Sequence, residues 1–156
     1  MEHQMEHGAD EAASLELENF LPYRLNRLAE AVSRDFQTIY RTRHGLTRPE
    51  WRLLASLGQH GTMTATEVGR DSAMHKTKVS RAVSALEERR WLKRETDPED
   101  RRVERLALTP VGAKAYAELV PLARRFEADL LRTLAPAERK ALSVGLAAIE
   151  RRFVGG

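Results

Sequence analysis

Between Lys76 and Ser84 the chain carries Lys76, Thr77, Lys78, Ser80, Arg81 and Ser84, cations and short hydroxyls with no carboxylate until Glu87. Side chains of these types hydrogen-bond phosphate oxygens and reach the edges of bases in a groove. The apolar residues threaded through the same stretch, Val79, Ala82, Val83 and Leu86, recur at helical spacing and form a stripe for burial. The pattern predicts one helix over about 75–89, buried on one side and cationic on the other.

A second group of cations follows directly. Leu92-Lys93-Arg94-Glu95, a turn at Thr96-Asp97-Pro98-Glu99-Asp100 and an alternating return ending in Leu106 and Leu108 read as a two-stranded ribbon over about 93–105, with Arg101 and Arg102 at the mouth of the turn. Charged residues alone are an ordinary way to solvate a hairpin tip. Next to a helix of this composition they form the wing of a winged helix. The pair predicts a duplex grip in which Lys76 and Lys78 meet phosphate and at least one of Thr77, Ser80 and Arg81 meets bases.

Other elements must hold these two in place. Pro22 suits a first helical turn. Leu25, Leu28, Ala29, Val32, Phe36, Ile39 and Tyr40 then trace a long amphipathic helix to Arg43, ended by His44-Gly45. Thr47-Arg48-Pro49-Glu50 has the form of a capping box. It opens a helix to about Gln59 that buries Trp51, Leu54, Ala55 and Leu57. Gly58 marks either a close approach or the onset of fraying. Thr64-Ala65-Thr66-Glu67 forms a second box, with a short helix through Val68 to about Asp71. Two short helices across a tight polar turn make a helix-turn-helix whose second helix is the reader. His75 stands where a capping Ser or Asp is expected, and Ser72 is the alternative cap. After the ribbon, Thr109-Pro110 starts a helix carrying Ala115, Leu119, Leu122, Phe126 and Leu130 to about Leu134, with Pro121 bending it. Pro136 opens a last helix lined by Leu142, Leu146, Ile149 and Phe153.

The resulting fold class is mainly α with a small two- or three-stranded β wing: a winged helix-turn-helix with long N- and C-terminal helices. The expected organisation is an acidic, disordered leader at 1–19, a dimerisation helix at 20–46, a DNA-binding lobe at 47–109 and dimerisation helices at 110–156. The terminal helices have apolar faces wider than so small a lobe can cover. A symmetric homodimer is therefore expected, and its two-fold axis predicts a palindromic operator.

Composition supports this and excludes alternatives. The chain is 42% hydrophobic and 31% charged, and has no cysteine, which removes disulfides and thiolate metal sites. No apolar run spans a bilayer, and the N-terminus is acidic rather than signal-like, so a cytoplasmic location is expected. The net charge of +3 hides an asymmetry, because Glu2, Glu6, Asp10, Glu11, Glu16 and Glu18 precede the first cation. From Phe20 onward 26 cations face 17 anions, a net of +9, which suits a polyanionic partner. His3-Gln4-Met5-Glu6-His7 matches the reversed zinc-peptidase pattern. It has no apolar scaffold and no third ligand, so neither a metal nor a cofactor is expected, and the chain does not read as an enzyme. The competing reading is a ligand-binding or protein-interaction homodimer that does not recognise DNA specifically. That reading predicts loss of cations from the helix and wing, and both keep them.

Asp100-Arg101-Arg102 leading to Leu106-x-Leu108-Thr109-x-x-Gly112 resembles the MarR family of bacterial transcriptional regulators, a resemblance covering Phe20 to Arg152. It implies that Asp100 orients Arg102, whose guanidinium enters a minor groove, where negative potential is concentrated. His75 departs from the acid or small polar cap that relatives often carry; a weak cap and a phosphate contact both remain open for it. The resemblance also implies a small aromatic or phenolic effector. Phe20-Leu21-Pro22-Tyr23-Arg24-Leu25 and Pro49-Glu50-Trp51-Arg52 look like segments of regulators of aromatic-acid catabolism, some of which sense hydroxycinnamoyl coenzyme A thioesters. On that basis Arg24, Phe36, Tyr40, His44, Trp51 and Arg52 are candidate pocket residues, although Phe36, Tyr40 and Trp51 also fit plain core stripes. The resemblance further implies repression, relieved by the effector.

Overall fold

The computed structural model describes residues 14–154, so the His3–His7 motif and most of the acidic leader lie outside the described residues. The chain divides into two compact units, Met1–Ile39 and Tyr40–Gly156. The first contains a short 3-10 turn at Leu17–Asn19 and most of helix α1 (Leu21–His44). Glu16 accepts a 2.6 Å bond from the Asn19 side chain at the entry to α1. Leu21, Leu25 and Leu28 are exposed along the helix, Leu28 at 59%.

The second unit begins with the last turn of α1 and continues through α2 (Arg48–His60), β1 (Met63–Thr64), α3 (Ala65–Ser72), α4 (Lys76–Glu88), β2 (Leu92–Thr96), β3 (Glu104–Leu108), α5 (Pro110–Arg132) and α6 (Pro136–Phe153). The three strands form an antiparallel sheet in the order β1-β3-β2, with Met63 opposite Leu106 and Leu92 opposite Leu108. The wing therefore has three strands, the larger of the two counts expected, although no sequence pattern marks Met63–Thr64 as the third. Helices α2, α3 and α4 pack on one another, β2 packs on α4, and α2 also contacts α5 and β3. Leu53, Leu54, Leu57, Val68, Val79, Val83, Leu86, Leu92, Leu106 and Leu119 supply the buried centre.

Local chemistry explains most of the boundaries. Thr47 and Glu50 form the expected reciprocal box, the Thr47 side chain accepting from the Glu50 amide and the Glu50 carboxylate accepting from the Thr47 amide at 3.2 Å. At Thr64 only half of the expected box forms: its hydroxyl accepts from the Glu67 amide at 3.2 Å without the return bond. Ser72 is not the cap of α4. It lies in the last turn of α3, where its hydroxyl donates back to the Val68 carbonyl, and His75 takes the N-cap position with no side-chain bond. On α2 the buried residues are Glu50, Leu53, Leu54, Ser56 and Leu57, whereas Trp51 and Ala55 are half-buried. The buried face is thus turned from the expected one. Helix α5 runs through Pro121 without interruption. Among the described residues no helix is long and apolar enough to cross a membrane.

Two glycines are set by close approach. A Cβ at Gly58 would fall 2.5 Å from the Tyr116 ring, so this glycine marks the crossing of α2 and α5. A Cβ at Gly112 would fall 2.1 Å from the Trp91 carbonyl oxygen, a backbone atom that cannot swing aside. Thr109 caps α5 at the same corner, accepting from the Gly112 amide at 3.2 Å and donating to the Arg90 carbonyl at 2.7 Å. Gly112→Ala should therefore destabilise the protein by about 1–3 kcal/mol. A melting temperature equal to that of the parent chain would contradict this packing.

Candidate nucleic-acid interface

The stripe of α4 is buried as its spacing demands, with Val79, Ala82, Val83 and Leu86 all between 0 and 3% exposed. Helical geometry then turns the other side outward. Lys76, Thr77, Lys78, Ser80, Arg81 and Ser84 are all exposed, and none is held in an ion pair by the described residues. A row of cations and hydroxyls with no internal partner keeps its hydrogen-bonding capacity for an external one.

The wing tip is built differently, because two of its carboxylates are paired with arginines. Asp100 Oδ1 accepts from the Arg102 amide at 3.1 Å and from Arg102 Nε at 3.2 Å, leaving the Arg102 side chain 91% exposed. Arg101 is exposed beside it. Asp97, which the sequence pattern does not single out, is bonded to the Glu99 and Asp100 amides and to Arg105. The Glu99 amide, then the Arg105 guanidinium and after it the Asp100 amide, hold its carboxyl below the usual carboxylate range.

Two further arginines join the elements. Arg94 on β2 bonds Glu87 at the end of α4 (2.9 Å) and Glu104 on β3 (3.2 Å), and the Glu87 bond leads in holding its charge more firmly. Arg89, just past the end of α4, donates to the His44 carbonyl at 2.7 Å and to the Gly45 carbonyl at 3.2 Å. Its guanidinium also lies 5.0 Å from the centre of the Trp91 ring. A cation on the last carbonyls of α1 complements that helix's dipole. Composition marks these positions only as charged; their partners lie up to 45 residues away in sequence.

The candidate ligand residues fall into separate groups. Tyr40 is buried and stacks on Trp51, ring centres 5.7 Å apart and planes 12° from parallel. Burial pushes the Tyr40 phenol above its ordinary range, against an opposing pull from Arg48, Arg52 and Arg41. Arg52 reaches the Ser72 carbonyl at 3.5 Å. His44 belongs to a neighbouring cluster, edge-on to Trp91 at 5.2 Å and with Nε2 3.4 Å from Glu118, which Arg43 also approaches at 3.5 Å. Arg24 lies in the other unit, on a shallow groove along α1 with Leu21, Leu25 and Leu28, and Phe36 is half-buried in that unit.

Residues 44–103 match the family model described as the MarR family. A curated relative, the putative transcriptional regulatory protein for the hcr operon of Thauera aromatica, is 28% identical over 126 residues, 81% of this chain and 75% of the relative. The uncharacterised HTH-type transcriptional regulator YwoH of Bacillus subtilis is 30% identical over 99 residues, 64% of this chain and 72% of its own. Among solved structures, BpsR of Bordetella bronchiseptica, whose DNA binding is described as regulated by 6-hydroxynicotinic acid, is 26% identical with a TM-score of 0.76, covering 88% of this chain and 97% of the other. An outward cationic face on α4, ion pairs at the wing and these similarities agree: the chain belongs to the MarR family of ligand-responsive, DNA-binding transcriptional regulators.

Proposed function

We propose that this regulator is a repressor that binds a palindromic operator as a homodimer and is released by a small aromatic acid or its coenzyme A thioester. The observation that carries the reading is the unpaired face of α4 beside the wing arginines. Lys76 and Lys78 would bind phosphate; Thr77, Ser80, Arg81 and Ser84 would face base edges; Arg101 and Arg102, the latter oriented by Asp100, would grip an adjacent minor groove. Residues 47–109 form the reading lobe in this account, and 20–46 with 110–156 form the dimer. Exposed apolar residues on both terminal helices support that division, Leu28 on α1 and Leu142, Leu146 and Phe153 on α6 among them, Phe153 at 78%.

The effector reading rests on the stacked Tyr40 and Trp51 with the guanidinium charges around the phenol. Aromatic faces offer stacking, and arginines offer paired hydrogen bonds to a carboxylate or phosphate. The 6-hydroxynicotinic acid described for BpsR is an aromatic carboxylic acid of this kind. Ligand binding would favour a spacing of the two reading helices that no longer matches successive major grooves, by no more than its differential affinity for the two states.

Arg102→Ala should weaken binding to a duplex selected from a random pool and lower the slope of affinity against salt by about one contact, with little change in sequence preference. Arg81→Ala should lose discrimination at one operator position by roughly 1–3 kcal/mol. Fluorescence anisotropy over a salt series separates the two, and parent-like affinity in Arg102→Ala would contradict the wing contact. A phenolic acid or its coenzyme A thioester at about 100 times its Kd should stabilise the protein by roughly 2.7 kcal/mol, read as a rise in melting temperature. Arg52→Ala should diminish that rise, and no rise with either ligand class would set the aromatic effector aside.

A further inference from the structure

Three carboxylates, Asp97, Glu99 and Asp100, stand at the tip of a wing that approaches a polyanion, where each carries an electrostatic cost, and two of them are bonded within the tip. Asp100 is used on Arg102, as described. Asp97 is used on the tip itself. Its amide donates to the Val103 carbonyl at 2.9 Å, closing the turn, and the Val103 amide donates to the Asp100 carbonyl at 3.0 Å. Asp97 Oδ1 accepts from the Glu99 amide at 2.8 Å and from the Asp100 amide at 3.3 Å. Its Oδ2 accepts from Arg105 Nε at 3.0 Å, with Arg105 Nη2 at 2.9 Å. The Asp97 side chain is only 15% exposed, in contrast to Arg102 at the same tip.

The bonds form a series. Both oxygens of Asp97 are occupied within the wing, one by the backbone of Glu99 and Asp100 and the other by a β3 arginine. The Asp100 carboxylate is thereby spared from capping the turn and is left to hold the Arg102 backbone and side chain. An arginine held ready before contact loses less side-chain freedom on binding than one on a loose loop. We propose that Asp97 is a positioning residue for DNA binding: by fixing the backbone of Asp100 it sets the stem from which Arg102 reaches the duplex. Arg105 is the anchor of this device. Its charge is neutralised inside the wing and contributes less to the duplex than its place in the ribbon suggests. The inference rests on the reading of Arg102 as a DNA contact.

A double-mutant cycle on the full chain tests it, using a duplex selected from a random pool by the parent protein. Asp97→Ala should weaken binding roughly three- to tenfold and lower the salt slope as Arg102→Ala does, while Asp97→Ala added to Arg102→Ala should cost little more. Asp97→Asn keeps an acceptor for the two amides, so it should bind better than Asp97→Ala at a similar melting temperature. Additive losses in the double variant would overturn the inference, because Asp97 would then act elsewhere. Parent-like binding by Asp97→Ala alongside a weakened Arg102→Ala would overturn it alone, leaving the wing contact standing. If Arg102→Ala itself binds like the parent, the wing reading and this inference fall together. Equal losses in the Asn and Ala variants would overturn the route through the Asp100 amide.

Discussion

The rotation of α4 about its own axis is the constraint on which the rest depends. Val79, Ala82, Val83 and Leu86 are buried against α2, α3 and β2. Full burial of a valine or leucine contributes about 1.5–3 kcal/mol, so turning the helix by even a third of a circle would forfeit several such contributions. It would also carry Lys76, Lys78 and Arg81 toward an apolar interior, where an unpaired charge is costly. Both effects favour one orientation. The outward face is consequently as well defined as the core, although no described residue holds its cations in an ion pair.

Polar contacts act on this frame mainly by orienting its parts. Arg94 spans α4 and β3, and Arg89 ties the end of α4 to the last carbonyls of α1. Exposed ion pairs are worth about 0–1 kcal/mol each, too little to account for the fold. Their geometry is nonetheless specific: Arg94 lies between carboxylates of two elements, and at the wing tip Asp97 pairs with Arg105 and Asp100 with Arg102. A lobe held by apolar burial and aimed by paired charges can present a helix and a hairpin in a fixed relation, as simultaneous major- and minor-groove contact demands.

What was legible in the chain was local. The Thr47–Glu50 box and the stripe of α4 involve residues within a turn or two of one another, so type and spacing reveal them. Met63–Thr64 was not legible as a strand, because so short a segment is defined only by its pairing with Arg105 and Leu106. Of the two candidates for the cap of α4, spacing alone does not exclude Ser72, which has a nearer acceptor in the Val68 carbonyl, four residues back on its own helix, and leaves the position to His75. Glu67 illustrates that a Thr-x-x-Glu spacing permits a reciprocal box without enforcing one. The candidate site divides along the same line. The exposed face of α4 and the Asp100–Arg102 pair could be read from spacing and resemblance. Arg89, Arg94 and the Asp97–Arg105 pair could not, since each depends on partners supplied by the fold. Tyr40 and Trp51 lie on different helices, and only the turn at Gly45-Leu46 makes their stacking possible.

Selection of binding duplexes from a random pool by the full chain, followed by sequencing, tests the central claim most directly. A pair of subunits presenting this face of α4 should enrich an inverted repeat with half-site centres about 10–10.5 base pairs apart, or a multiple of that spacing. Enrichment of a lone half-site, or of no common sequence at low and moderate salt, would contradict the account.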